Sequence, residues 1–218
     1  MASMLLNGIK ATFFFLILIL LVKCQPKEEL TEVIYANQFD QSELANIEGG
    51  KLFDFNGDWV IGPYNRGGFN LDLSDIPKHD FLEVTFTLLL HDSWDGNAGG
   101  DDGPDRWYME LHDARIMDVT FSNSPCVSTY CLFQSYPDQF PDFNDPKTGA
   151  SYFLPGLCHR ADLPDGTSVY QITKTIAHTS KAAFFRFYDR LVQTNSGAPA
   201  CDESWSMSSL QVKAVRLK

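Results

Sequence analysis

From His91 to Asp105 the chain reads His-Asp-Ser-Trp-Asp-Gly-Asn-Ala-Gly-Gly-Asp-Asp-Gly-Pro-Asp, with five aspartates, four glycines and no cation before Arg106. Carboxylates gathered in one loop repel, by about 0.7 kcal/mol per pair at ~6 Å in water and by more where water is excluded. Glycines let backbone carbonyls fold in beside the acids. A hard cation that takes six to eight oxygens turns that repulsion into attraction, and an all-protein oxygen cage suits calcium better than magnesium. The candidate ligands are Asp92, Asp95, Asp101, Asp102 and Asp105. The EF-hand pattern is not met, because Trp94 stands where a second ligand belongs and no glutamate occupies the twelfth position. The same residues also suit a solvated hairpin loop, in which Asp and Gly serve turn geometry alone.

Aromatic residues supply a second kind of chemistry. The segment Phe133-Gln134-Ser135-Tyr136-Pro137-Asp138-Gln139-Phe140-Pro141-Asp142-Phe143-Asn144-Asp145 mixes rings with carboxylates and amides. Sugar sites combine stacked rings with planar polar groups that exchange hydrogen bonds with hydroxyls. The candidate ligand-binding residues are therefore Trp94, Tyr136, Phe140, Phe143 and Tyr152, weighed against a small satellite core beneath a long loop. Catalytic groupings are lacking. The five histidines include no i, i+4 pair and no H-E-x-x-H, so His79 and His178 read as structural hydrogen-bond partners. Gly149-Ala150-Ser151-Tyr152-Phe153 falls short of a nucleophile elbow. The expectation is a protein that is not an enzyme.

These residues must be held by strands. In Phe81 to Leu90 the even positions Leu82, Val84, Phe86, Leu88 and Leu90 are apolar, whereas Glu83, Thr85 and Thr87 face the other way. The same period of two marks Arg106 to Leu111, Arg115 to Phe121, Val169 to Ile176, Ala183 to Tyr188 and Leu210 to Ala214. Gly, Pro, Asn and Asp clusters punctuate them, at Asn56-Gly57-Asp58, Gly62 to Gly68, Asp95 to Pro104, Pro137 to Gly149 and Pro164-Asp165-Gly166. No long amphipathic helix is legible. The pattern predicts an all-β fold, a single jelly-roll-type antiparallel β-sandwich. The Pro125 to Gly166 connection is too long for an ordinary loop, so a hairpin or ordered excursion is expected there.

Residues 1–24 differ from the rest. Lys10 precedes a twelve-residue apolar run, Ala11 to Val22, which is signal-peptide length and short of the ~20 residues of a stable membrane span. Val22 and Cys24 suit a cleavage site, and the alternative is a lipid anchor through Cys24. The expected organisation is a signal peptide at 1–24, a flexible lead-in and first strand at 25–47, and the sandwich domain at 48–218. Cys126, Cys131, Cys158 and Cys201 then remain as an even set in an oxidising compartment. Three pairings are open. Cys126–Cys131 as a local clip with Cys158–Cys201 as the long bridge is favoured, the latter contributing about 4 kcal/mol in the chain-entropy model. The whole chain carries −11; without Lys10 and Lys23, the only charges in the leader, it carries −13. Nucleic acid is disfavoured as a partner because it requires a positive footprint.

Asp92-Ser93-Trp94-Asp95-Gly96-Asn97, Gly103-Pro104-Asp105-Arg106-Trp107, Thr120-Phe121-Ser122-Asn123 and the tail Ala177-His178-Thr179-Ser180 and Asp202-Glu203-Ser204-Trp205-Ser206 resemble a largely uncharacterised group of secreted β-sandwich domains. The resemblance spans about residues 48 to 216 and departs from the group at Ser206-Met207-Ser208-Ser209. It implies a jelly-roll sandwich similar to galactose-binding-like and other carbohydrate-binding modules, in which calcium often has a structural role. It implies no activity. The resulting expectation is a secreted, calcium-stabilised extracellular module with a structural, adhesion or matrix role, mineral surfaces included. The first alternative is a lectin-like protein that binds an extracellular glycan, and the second is a jelly-roll polysaccharide lyase or glycoside hydrolase.

Overall fold

The computed structural model describes residues 29–40, 44–100, 103–192 and 197–218. The expected leader, with Cys24, therefore lies outside the described residues. Twelve strands and one short helical turn follow in order: β1 Glu29–Asn37, β2 Ile47–Glu48, β3 Leu52–Phe55, β4 Asp58–Tyr64, β5 Gly68–Leu73, β6 Phe81–Asp92, β7 Arg106–Leu111, β8 Ala114–Thr120, β9 Tyr152–Leu154, β10 Thr167–Ala177, β11 Ala183–Arg190, α1 Pro199–Asp202 and β12 Glu203–Leu217. One sheet has the order β3-β4-β12-β6-β10-β9, with β1 also on β12, and the other has the order β2-β5-β11-β7-β8. Every pairing among named strands is antiparallel.

The alternation read from the sequence selects the inner faces. Leu82, Val84, Phe86, Leu88 and Leu90 of β6 meet Trp107, Met109 and Leu111 of β7 and Phe185 and Phe187 of β11 in one buried cluster. Trp205 lies at its centre, 5.7 Å from Trp107 and 4.8 Å from Tyr64 between ring centroids. Its indole N–H donates to buried Asp189 at 2.7 Å, which satisfies a polar atom that the core would otherwise strand. The long β12 lies along β6 throughout; its first half has β4 on the other side and its second half has β1. A bulge between Met207 and Ser209 adds one residue. Trp205 and Met207 therefore point inward at odd positions, and Leu210, Val212 and Ala214 point inward at even ones.

Within the region expected to hold the lead-in and first strand, β1 pairs from Glu29 against Leu217 onward. The large sheet also buries part of its outer face. Phe55, Val60, Leu89 and Val169 form a second cluster with Leu154 and Leu157 packed on it. This explains the unbroken Leu88-Leu89-Leu90, because a strand covered on both faces loses its alternation. The covering segment, residues 155–166, is tied down by the Cys158–Cys201 bridge, and Cys126 pairs with Cys131. It is also held by Asp92, whose Oδ1 accepts the backbone N–H groups of Arg160 at 2.8 Å and Cys158 at 3.1 Å. Asp92→Ala strands these donors and is expected to lower stability by about 2 kcal/mol, read from the urea midpoint.

Candidate functional site

Asp105 directly precedes β7, and Glu203 is the first residue of β12, in register with Asp92 on β6. Both are fully buried at one end of the sandwich. The loop from β6 to β7 brings Asp95 to them, and the Asp95 N–H donates to Asp105 Oδ2 at 2.7 Å. Carboxylate oxygens of Asp95, Asp105 and Glu203 all lie within 4.8 Å of one another. Burial raises the pKa of Asp105, and the charge of Asp95 raises it further. Burial likewise raises that of Glu203, followed by the charge of Asp105. Such a trio can hold protons, or it can exchange them for a hard cation.

Of the five predicted ligands, the structure brings together Asp95 and Asp105. Asp101 and Asp102 lie outside the described residues. Asp92 does not join: its backbone is left-handed, with φ 66°, and its carboxylate turns to the 157–160 turn. Glu203 was missed, although the sequence holds its signal. It shares the inward parity of Trp205 and Met207, so an acid stands in a register otherwise reserved for core residues.

The aromatic candidates divide. Trp94 is fully buried, donates its indole N–H to Ser204 O at 2.8 Å, and offers no face to a ligand. Tyr136 packs on Phe121 and Tyr170, at 5.0 and 5.2 Å, as part of the core margin. Phe140 lies beneath the Arg106 guanidinium, 4.5 Å away. Phe143 and Tyr152 are exposed, at 72% and 46%, and the same excursion also exposes Tyr130, Phe133 and Phe153. The outward rings follow from inward polar neighbours. Gln134 is fully buried; its Oε1 accepts from Ser122 N and Lys147 N, and its Nε2 donates to Tyr136 O and Thr148 O. Gln134 and Asn144 also exchange backbone hydrogen bonds at 2.9 and 2.7 Å. With Gln134 and Asn144 turned in, Phe133 and Phe143 are turned out, where they meet edge to face at 6.1 Å.

One contact has the outline of a nucleophile and its base. His91 Nε2 lies 2.6 Å from Ser206 Oγ, but Nδ1 meets the Thr167 hydroxyl rather than a carboxylate. His91 and Ser206 are fully buried, and desolvation pulls the imidazole down to about 3. The pair is a sealed structural contact. Elsewhere, Arg106, Arg115 and Arg186 lie over Tyr108 and Tyr188 and are matched by Glu110 and Asp118, so this grouping leaves little net positive charge. No helix among the described residues is long and apolar enough to cross a membrane.

No protein-family model matches the chain, and no curated protein sequence does. Solved structures similar to it include BtGH115A, a family GH115 4-O-methyl-α-glucuronidase with specificity for decorated arabinogalactans. That match has 10% identity and a TM-score of 0.38, and covers 83% of this chain but only 17% of that one. The carbohydrate-binding module CBM6cm-2 from Cellvibrio mixtus lichenase 5A, in complex with cellotriose, matches at 11% identity and TM-score 0.32, covering 83% of this chain and 97% of that one. A family 35 carbohydrate-binding module from Clostridium thermocellum matches at 7% identity and TM-score 0.32, covering 85% and 97%.

Proposed function

We propose that the chain is a secreted, non-enzymatic module that binds an extracellular glycan on the rings of the 130–153 excursion. The observation that carries this reading is the outward set Tyr130, Phe133, Phe143, Tyr152 and Phe153, on a segment anchored from within by the buried Gln134. Exposed rings on a fixed backbone offer apolar faces for the C–H surfaces of a sugar at little ordering cost. Asp138 and Asp142, on the same segment, supply exposed acceptors for hydroxyls.

The mineral or matrix role draws less support. The acidic loop is the contact such a role would use, and there Asp105 is sealed inside beside Glu203 rather than facing outward. Phe143→Ala and Tyr152→Ala are each expected to weaken a glycan identified on an array by about tenfold, equivalent to 1.4 kcal/mol, with an unchanged melting temperature. Array silence for the wild-type domain, or full binding by the double variant, overturns the reading.

A second reading adds to the first: a calcium ion held by Asp95, Asp105 and Glu203 that fixes the loop end of the sandwich. Three convergent carboxylates favour it. Asp92 plays no part in it, so Asp92→Ala is expected to retain the full calcium response while losing stability.

A further inference from the structure

Three histidines from three separate connections meet at another place in the fold. His79 lies between β5 and β6, His112 in the turn from β7 to β8, and His178 just past β10. His79 Nδ1 lies 2.6 Å from the carbonyl oxygen of Pro77. A carbonyl can only accept, so Nδ1 of His79 carries the hydrogen and its Nε2 presents a lone pair in the neutral ring. That Nε2 is 2.7 Å from His178 Nδ1, which must therefore donate. The tautomer of His178 follows: Nδ1 is protonated and Nε2 is a bare lone pair. This Nε2 is buried and has no hydrogen-bond partner among the described residues.

A ring that donates one N–H into a fixed chain ending on a backbone carbonyl, with its other nitrogen unused, has the arrangement of a metal-ligating histidine and its outer-shell partner. The His112 ring lies beside it, with centroids 6.0 Å apart and planes 19° apart. Two imidazoles sharing one ion at metal–nitrogen distances of about 2.0–2.1 Å have centroids about 5–6.5 Å apart. His112 is exposed, which gives an ion a way in.

We infer that His178 and His112 ligate a borderline divalent cation of the copper, nickel or zinc type, with His79 as the positioning residue and solvent completing the coordination. Imidazole nitrogen selects these ions over calcium. The site is separate from the carboxylate trio and independent of the glycan reading.

The test uses the untagged mature domain. Titration with Zn2+ is expected to give one site, and the electron paramagnetic resonance spectrum of the Cu2+ form is expected to show splitting from two nitrogens. His112→Ala, at an exposed turn, is expected to leave the metal-free melting temperature unchanged, weaken Zn2+ at least tenfold and reduce the splitting to one nitrogen. His79→Phe, which removes the orienting acceptor, is expected to weaken Zn2+ without changing the number of coupled nitrogens. Absence of nitrogen splitting, or Zn2+ binding unaffected by His112→Ala, overturns the inference.

Discussion

Acidification is expected to cost the folded domain on the order of 5 kcal/mol through the single side chain of His91. Its imidazole is fully buried against Phe55 and two hydroxyls, and desolvation takes it from an ordinary 6.5 to about 3. The folded value lies below the unfolded one, so the unfolded chain takes the proton first. Stability is complete above pH 6.5 and falls by about 1.4 kcal/mol per pH unit as pH drops toward 3, where the fall ends. Four buried acids work in the opposite sense, because Asp92, Asp105, Asp189 and Glu203 all have raised values. The difference between wild type and His91→Gln isolates the histidine. That difference is expected to be flat above pH 7 and to move by about 3 kcal/mol between pH 6.5 and 4, measured by urea unfolding at each pH. A difference that stays constant across that range would mean that His91 is not sealed in its neutral form.

Particular elements show what the sequence could carry. Period-two patterning identified β6, β7, β8, β10 and β11 with their inward faces, because an antiparallel strand over a core leaves that pattern directly in the residue order. It failed at β4, where Gly62 and Pro63 read as punctuation yet lie inside the strand. Gly62 has φ 130°, and a Cβ there would stand 2.9 Å from Trp205 O, so the glycine serves close approach to β12. In the acidic loop the composition was legible and the convergence was not. A loop does not declare which way its side chains turn, and the left-handed residue at Asp92 sends that acid to another segment. Gly96 was read as freeing carbonyls for a cation. A Cβ there would stand 2.2 Å from Phe133 O, so its role is to seat the loop against the aromatic excursion. Glu203 lies 98 residues beyond Asp105, and only the β12–β6 register brings it beside the loop.

Glu203→Gln is expected to raise the melting temperature of the calcium-free domain and to abolish its response to calcium. In the wild type, the folded state holds protons on Glu203 and Asp105 that the unfolded chain releases in the ordinary carboxylate range, because burial raises both values, the charge of Asp105 adds to it at Glu203, and the charge of Asp95 adds to it at Asp105. Calcium-free stability therefore falls as pH rises above that range. A cation at the trio replaces those protons, so its stabilisation grows over the same interval, small at pH 5 and large at pH 8. At a calcium concentration 100 times the dissociation constant, the gain is about 2.7 kcal/mol. For a domain of this size that corresponds to a shift of about 5–10 °C. Glutamine keeps the shape and an acceptor oxygen and is neutral without taking up a proton, which removes the cost of protonating Glu203 on folding and leaves the cation two carboxylates instead of three. Thermal unfolding of both proteins at pH 5 and pH 8, with calcium and with chelator, separates the two states the trio can adopt. If the wild type ignores calcium at pH 8 and the variant is still the more stable, the three acids form a closed carboxyl cluster that holds a proton in place of an ion.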